Sequence, residues 1–189
     1  MTVYQDKYRI ESSRLGDWDY GSRGWYFVTI CSQNRTCVFG EVVAGEIHLS
    51  EVGRIAHSQL QELYLHYESV NLDSYVVMPN HVHAIVMIDG DHCFSPNAKG
   101  RSPRPPGFVS PQAGSLSAII RSYKAGVTRR CGELGLERAI WQPRFHDHLL
   151  RGDAVINAVR DYIRNNPANW GADKENPFLA LSTQRSVET

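Results

Sequence analysis

The chain has 189 residues, 42% of them hydrophobic and 21% charged, and its 20 basic and 20 acidic side chains cancel to a formal charge of zero. That length and apolar content suit one core of ordinary size and one domain, and a neutral balance argues against general charge attraction as the basis of any binding. No segment is long and apolar enough to cross a membrane, and Met1 to Tyr20 lacks the roughly 7–15-residue apolar run of a signal peptide, so a cytoplasmic protein is expected.

Taken in chain order, Trp25 to Ser32 reads as a strand and Glu46 to Leu49 as a short second one. Glu51 to Tyr67 places Val52, Ile55, Leu60, Leu63 and Tyr64 at helical spacing. From Tyr75 to Met87 two apolar runs meet at Pro79-Asn80, which predicts a hairpin. Strand side chains alternate, so His81 and His83 share one face about 6–7 Å apart while Val82 takes the other. Two imidazoles on one rigid strand can hold a metal ion, although such a pair also occurs in ordinary packing.

From Phe94 to Gly114, five prolines stand among bases, glycines and alanines, a composition that packs neither as helix nor strand. This 94–114 loop is expected to be mobile until something binds, and either closes over a ligand or is an idle insertion. A basic helix follows from Ser115 to about Leu134. Seven bases and no acid lie between His92 and Gly132, whereas Glu41 to Asp73 carries six acids against Arg54 alone. Such asymmetry on a neutral chain suits a local phosphate track, or else a solvated helix face.

Phe145 to Leu150 reads as a strand, and Asp153 to Pro167 as a helix with Asp153 as N-cap and Pro167 as stop. Tyr162 and Asn166 then lie one turn apart on one face. Tyr162 also fits a packed aromatic on a stripe of Val155, Ile156, Val159 and Ile163. His146 and His148 form a second His-x-His, so a zinc hydrolase built on His81, His83, His146 and His148 is one open arrangement. Cys31, Cys37, Cys93 and Cys131 show no C-x-x-C spacing and are expected as free thiols. One domain over 1–170 and a loosely attached tail over 171–189 complete the reading, and an antiparallel sheet with helices on one face is its natural packing, an α+β fold.

The ordered blocks Arg14-Leu15, Asp19-Tyr20, Gly24-Trp25-Tyr26-Phe27-Val28-Thr29-Ile30-Cys31, Phe39-Gly40, Met78-Pro79-Asn80-His81-Val82-His83, Trp141-Gln142, Phe145-His146-Asp147-His148-Leu149-Leu150-Arg151 and Asp161-Tyr162-Ile163-Arg164-Asn165-Asn166-Pro167 resemble the single-tyrosine HUH transposases, with the REP-associated tyrosine transposases as the nearest branch. The resemblance runs from about residue 8 to Trp170 and implies a ferredoxin-like or RRM-like sheet. It implies metal-dependent cleavage and strand transfer on single-stranded hairpin DNA through a covalent 5′-phosphotyrosine. By position, His81 and His83 match the metal ligands, Tyr162 the nucleophile and Asn166 a third ligand, with Mg²⁺ or Mn²⁺ as the metal. Arg121, Lys124, Arg129 and Arg130 are expected to hold phosphates, and His148 to orient nucleophile or substrate. Tyr123 matches a position where relatives carry a packing aromatic. A monomer or homodimer, associated with the bacterial nucleoid when bound to DNA, is implied, and a binding module of the same fold without turnover is the alternative.

The chemistry itself asks for these residue types. A phosphodiester repels an incoming phenolate until a cation neutralises a non-bridging oxygen. A phenol with pKa near 10 is protonated at neutral pH, so its activation must come from a base, a cation or both.

Overall fold

Alternation along β3 (Gly24–Cys31) sets the two faces of the sheet: Tyr26, Val28 and Ile30 are fully buried on one side, and Trp25, Phe27 and Thr29 point to the other. The computed structural model in which this strand is seen describes residues 3–4, 8–9, 23–67, 69–89, 114–173 and 176. Two-residue strands β1 (Val3–Tyr4) and β2 (Tyr8–Arg9) pair with each other, and β4 (Gly40–Val43) pairs with β5 (Glu46–Leu49) in a separate ribbon. Ala44 and Gly45 turn that ribbon with φ of 52° and 82°, the geometry that matches the twist of a tight hairpin.

The main sheet has four strands in the order β6-β7-β3-β8, with every pairing antiparallel. Here β6 is Val70–Val77, β7 is His81–Ile88 and β8 is His146–Leu150. Helix α1 (Glu51–Gln61) connects β3 to β6, and α3 (Leu116–Glu133) connects β7 to β8. This β-α-β-β-α-β order is the ferredoxin-like arrangement that the sequence resemblance implies. Ser50 and Ser115 cap the two helices, accepting from Gly53 N at 3.0 Å and Ala118 N at 3.4 Å.

The main core joins Tyr26, Val28, Ile30, Val82, Ala84 and Val86 of the sheet to Ala56 and Leu60 of α1 and to Ile119, Ile120, Tyr123 and Val127 of α3. On the opposite face α4 (Asp153–Asn165) packs Ile156 and Ile163 on Ile85, Leu150, Trp25 and Phe27. Two helices thus share one face and α4 alone takes the other, the face to which His81 and His83 belong by strand alternation.

Several expected boundaries move. Strand β6 starts at Val70, because Val70 and Leu72 pair with Ile88 and Val86 before a bulge that ends at Tyr75. The single helix over Glu51–Tyr67 is two: ψ of −5° at Glu62 breaks it, and α2 (Leu63–His66) restarts with Leu63 turned into the core. Asp153 is not the N-cap of α4. Gly152 is, with φ of 83° that disfavours any side chain, and Asp153 instead places its charge in the first turn, where the helix dipole favours it.

Residues 171–173 continue the chain from a 3-10 turn, Trp170–Ala172. The 94–114 loop short of Gly114, its bases Lys99, Arg101 and Arg104, Cys93, the Arg14-Leu15 and Asp19-Tyr20 blocks and most of 171–189 lie outside the described residues. Among the described residues no helix is long and apolar enough to cross a membrane.

Tyr123 is packed as expected, 2% exposed, its hydroxyl donating to the Ala56 carbonyl at 3.1 Å. Its neighbour Lys124 ties α3 to the approach of β8: Nζ donates to the carbonyls of Gln142 at 2.7 Å and Arg144 at 2.8 Å, and burial brings its pKa down to about 8 against the raising effect of Cys31. Lys124→Met is expected to cost about 1–3 kcal/mol of stability, whereas exposed Arg121→Ala should stay within about 0.5 kcal/mol of wild type. Urea unfolding of both variants measures this, and equal midpoints would sink the structural role of the ammonium.

Candidate active site

The Met78-Pro79-Asn80 turn delivers the histidine strand, and buried Asn80 sets the chemistry of its first ring. Its Nδ2 donates to the Arg35 carbonyl at 3.1 Å, an atom that can only accept, so its Oδ1 is left to accept from His81 Nδ1–H at 2.8 Å. His81 Nε2 therefore carries a lone pair. His83 pairs across the sheet with Thr29, whose Oγ1 lies 2.9 Å from His83 Nδ1. We assign the proton to Nδ1 there too, so that Nε2 accepts from the Tyr162 hydroxyl at 3.3 Å.

The two rings lie 4.4 Å apart, centroid to centroid, and the residues are 0% and 4% exposed. Burial, with the nearby Arg35 charge, lowers the His81 pKa to about 4. Burial and His81 lower that of His83 to about 3, against the raising pull of Asp173 and of a hydrogen bond to the Val28 backbone. Both rings are neutral near pH 7, the state in which imidazole binds metal.

Helix α4 supplies the other half. Arg160 clamps Asp73 of β6 through two bonds of 2.8 and 2.6 Å and lies over Trp25 at 5.5 Å, which fixes the helix against the sheet. Tyr162 is then half-exposed, with Phe27 edge-on at 6.0 Å and His83 at 5.3 Å between ring centroids. Burial and the charge of Asp173 raise its pKa above the usual phenol value, opposed by a hydrogen bond from Asn166. Asn166, one turn on, is 3% exposed. Past it, Trp170 stands 6.1 Å from the His81 ring, and the Asp173 carboxylate hydrogen-bonds Asn166.

Two buried atoms here have no hydrogen-bond partner: His81 Nε2 and Asn166 Oδ1. Orphaned lone pairs are costly unless something else meets them. Two imidazole nitrogens and an amide oxygen suit Mg²⁺ or Mn²⁺ and leave positions open for substrate and water. Among the described residues no three His, Cys, Asp or Glu side chains form a metal-holding group. The amide of Asn166 stands outside that residue set.

His81, His83, Tyr162 and Asn166 thus come together, and the four-histidine arrangement does not. His146 and His148 are exposed on β8, separated from β7 by β3 and so about 10 Å away in strand spacing. His148 pairs in register with Phe27, and it is the Phe27 ring that meets Tyr162. The basic residues of α3 belong to the other face of the sheet. Arg121, Lys124, Arg129 and Arg138 line a cleft of about 550 Å³ there, and Arg129 and Arg130 lie 3.9 and 3.0 Å from Glu133. Thr29, Asn80 and Phe27 were readable in outline from strand alternation and the turn, whereas nothing in the local pattern marks Arg35 or Asp173.

Two outcomes follow from the buried rings. Below pH 6.5 an unfolded chain takes up protons that the folded rings refuse, so the stability of metal-free protein falls as pH drops from about 6.5 toward 4, by about 2 kcal/mol per histidine between pH 7 and pH 5. Urea unfolding in EDTA at those two values tests it, and an unchanged midpoint refutes it. Asn80→Ala should weaken Mn²⁺ affinity about 10–100-fold by calorimetry, because the His81 tautomer is no longer held. Undiminished affinity would remove Asn80 from the site.

No family model matches the chain. An uncharacterized protein of Haemophilus influenzae is 30% identical over 169 residues, which span 86% of this chain and 91% of that one. Among solved structures, a REP-associated tyrosine transposase bound to a REP hairpin aligns over 92% of this chain and 77% of its own with a TM-score of 0.54 at 21% identity. A proposed transposase of Deinococcus radiodurans aligns over 82% and 97% with a TM-score of 0.43 at 14% identity. By sequence the chain belongs to one family with the Haemophilus influenzae protein, and by fold it stands with the REP-associated tyrosine transposase, as its motifs indicate.

Proposed function

We propose that this protein is a transposase-like enzyme that cuts and rejoins single-stranded hairpin DNA, with Tyr162 as nucleophile and His81, His83 and Asn166 as ligands of Mg²⁺ or Mn²⁺. The observation that carries the reading is the Tyr162 hydroxyl 3.3 Å from His83 Nε2, beside the partnerless lone pairs of His81 Nε2 and Asn166 Oδ1. The fold shared with a transposase that was solved on a REP hairpin supports the choice of substrate.

Each residue has a task in that reaction. Asn80 and Thr29 hold the imidazoles so that both Nε2 atoms face the site. A bound divalent cation supplies charge neutralisation at the scissile phosphate and eases loss of the phenol proton. Tyr162 attacks phosphorus, its proton passing to water at the half-exposed rim, while the bond to the 3′ oxygen breaks and that oxygen leaves as a hydroxyl. The product holds the 5′ phosphate on Tyr162, and attack by a 3′ hydroxyl reverses the step and joins strands. Phe27 and the Arg160–Asp73 clamp keep Tyr162 in place, so that attack needs little reorganisation. Tyr162 and the histidine pair meet within one chain, which favours a monomer acting in cis. Arg121, Arg129 and Arg130, on the far face, are placed to hold the phosphates of a duplex stem.

The test is incubation with 3′-labelled hairpin DNA from the flanks of the gene, with Mn²⁺, followed by denaturing electrophoresis and mass spectrometry. A covalent adduct on Tyr162 is expected, lost with EDTA and reduced on the order of 10³-fold or more in Tyr162→Phe. Cleavage that survives Tyr162→Phe overturns the mechanism, and binding without any cleavage selects the module without turnover.

A further inference from the structure

Strand β8 is an edge of the main sheet, and its register fixes where its side chains go. His146 lies opposite Thr29 and His148 opposite Phe27, so by alternation both imidazoles stand on the face that carries His83. Asp147 between them lies opposite Val28, buried on the core face. One rung of the open face therefore runs His83, Thr29, His146, with a small side chain between two rings. On the next rung the Phe27 ring stands between Ile85 and His148. Helix α4 packs on Trp25, Phe27, Ile85 and Leu150, and both imidazoles of β8 are left exposed.

Two edges of the sheet separate the basic cleft of α3 from Tyr162. At the β6 edge α4 is fastened down by Arg160, which holds Asp73 through bonds of 2.8 and 2.6 Å, so the helix stands across that route. At the β8 edge Lys124, which lines the cleft, donates to the carbonyls of Gln142 and Arg144, so the cleft borders the chain that leads into β8. A strand of DNA held by Arg121 and Tyr162 together is thus led over β8, past two exposed rings whose intervening carboxylate is turned away. Exposed rings on an open sheet face are what unstacked bases rest on, because every base has a π-face. Phe27, opposite His148, already meets the Tyr162 ring edge-on, so such a base would lie next to the nucleophile.

Building on the function proposed above, we infer that His146 and His148 form a ledge that seats the nucleotide flanking the scissile phosphate, its base lying against the imidazoles. The ledge sets how the single strand enters the Tyr162 centre.

The experiment uses the full chain in the Tyr162→Phe background, with Mn²⁺ and fluorescent hairpin oligonucleotides whose cut linkage has been mapped with wild-type protein. The oligonucleotides are either intact or carry one abasic residue on one side or the other of that linkage. The double variant His146→Ala with His148→Ala is expected to bind the intact DNA about 10-fold or more weakly. The double variant His146→Phe with His148→Phe should stay within about 3-fold of the parent, because a ring without nitrogens still stacks. One of the two abasic residues should weaken the parent by a similar factor to the alanine changes. It should cost the alanine variant little more, since the partner of the base is already gone. Both variants should unfold at the parent's urea midpoint and bind Mn²⁺ as the parent does, because the two side chains are exposed and β3 separates them from His81 and His83. Unchanged DNA affinity in the alanine variant, an equal loss in the phenylalanine variant, or an abasic effect that is absent from the parent or persists in full without the imidazoles overturns the role of the ledge alone. Wild-type protein that neither binds nor cuts any flank hairpin overturns the function on which it rests.

Discussion

One side-chain amide holds the site together. Asn80 is buried at the hairpin turn, and its two ends are chemically distinct: nitrogen donates to the Arg35 carbonyl and oxygen accepts from His81. A carbonyl cannot donate, so the amide has one orientation, the imidazole one tautomer and Nε2 one free lone pair. The turn geometry of Gln33–Arg35 and the imidazole geometry of β7 are therefore a single hydrogen-bonded structure. Changing either end disturbs both, which places a loop from the far end of β3 under the control of the histidine strand. Thr29 contacts His83 Nδ1 one rung along the β3–β7 pairing, with a hydroxyl that can donate or accept.

The ferredoxin-like sheet explains why the histidine pair and Tyr162 lie apart from the most basic helix. Helix α3 fills the face that carries Val82 and Ala84, and α4 fills the face of His83 and Ile85. Single-residue alternation along β7 thus separates the basic residues of α3 on one side from the histidine pair and Tyr162 on the other. A DNA molecule that touches Arg121 and Tyr162 together must pass round an edge of the sheet. Lys124, expected among the phosphate contacts, has most of its donor capacity committed to two carbonyls, so its charge serves the packing of α3 before any ligand.

Elements with a strong period were legible in the sequence, and so was the half of the site that rides on them. The His-Val-His alternation put both imidazoles on one face, and helical spacing put Asn166 beneath Tyr162. The misses have different causes. The early start of β6 depends on pairing with the far end of β7, and a local pattern cannot report a partner; β4 pairs with β5 across the Ala44-Gly45 turn, without a run long enough to mark it. The N-cap of α4 went to Gly152 because backbone conformation, not side-chain bonding, decided it. Arg35 and Asp173 reach the site from irregular turns, where no period tells which way a side chain points. The four-histidine arrangement, left open by two similar triplets, is not formed because β3 lies between their strands.

Stability and function pull against each other at this centre. Two neutral imidazoles are buried where protonation is penalised, two lone pairs go unmet, and an arginine sits in a backbone region suited to glycine. Each is a local violation of what a stable core prefers, and they converge within one hydrogen-bonded unit and the turn of helix opposite it. The rest of the fold offsets them with a well-alternated sheet, capped helices and the Arg160–Asp73 clamp. A cation held by the two lone pairs, as proposed above, would relieve that part of the cost. Such a site would be preorganised: its unfavourable terms are already present in the fold, and a bound cation would offset them.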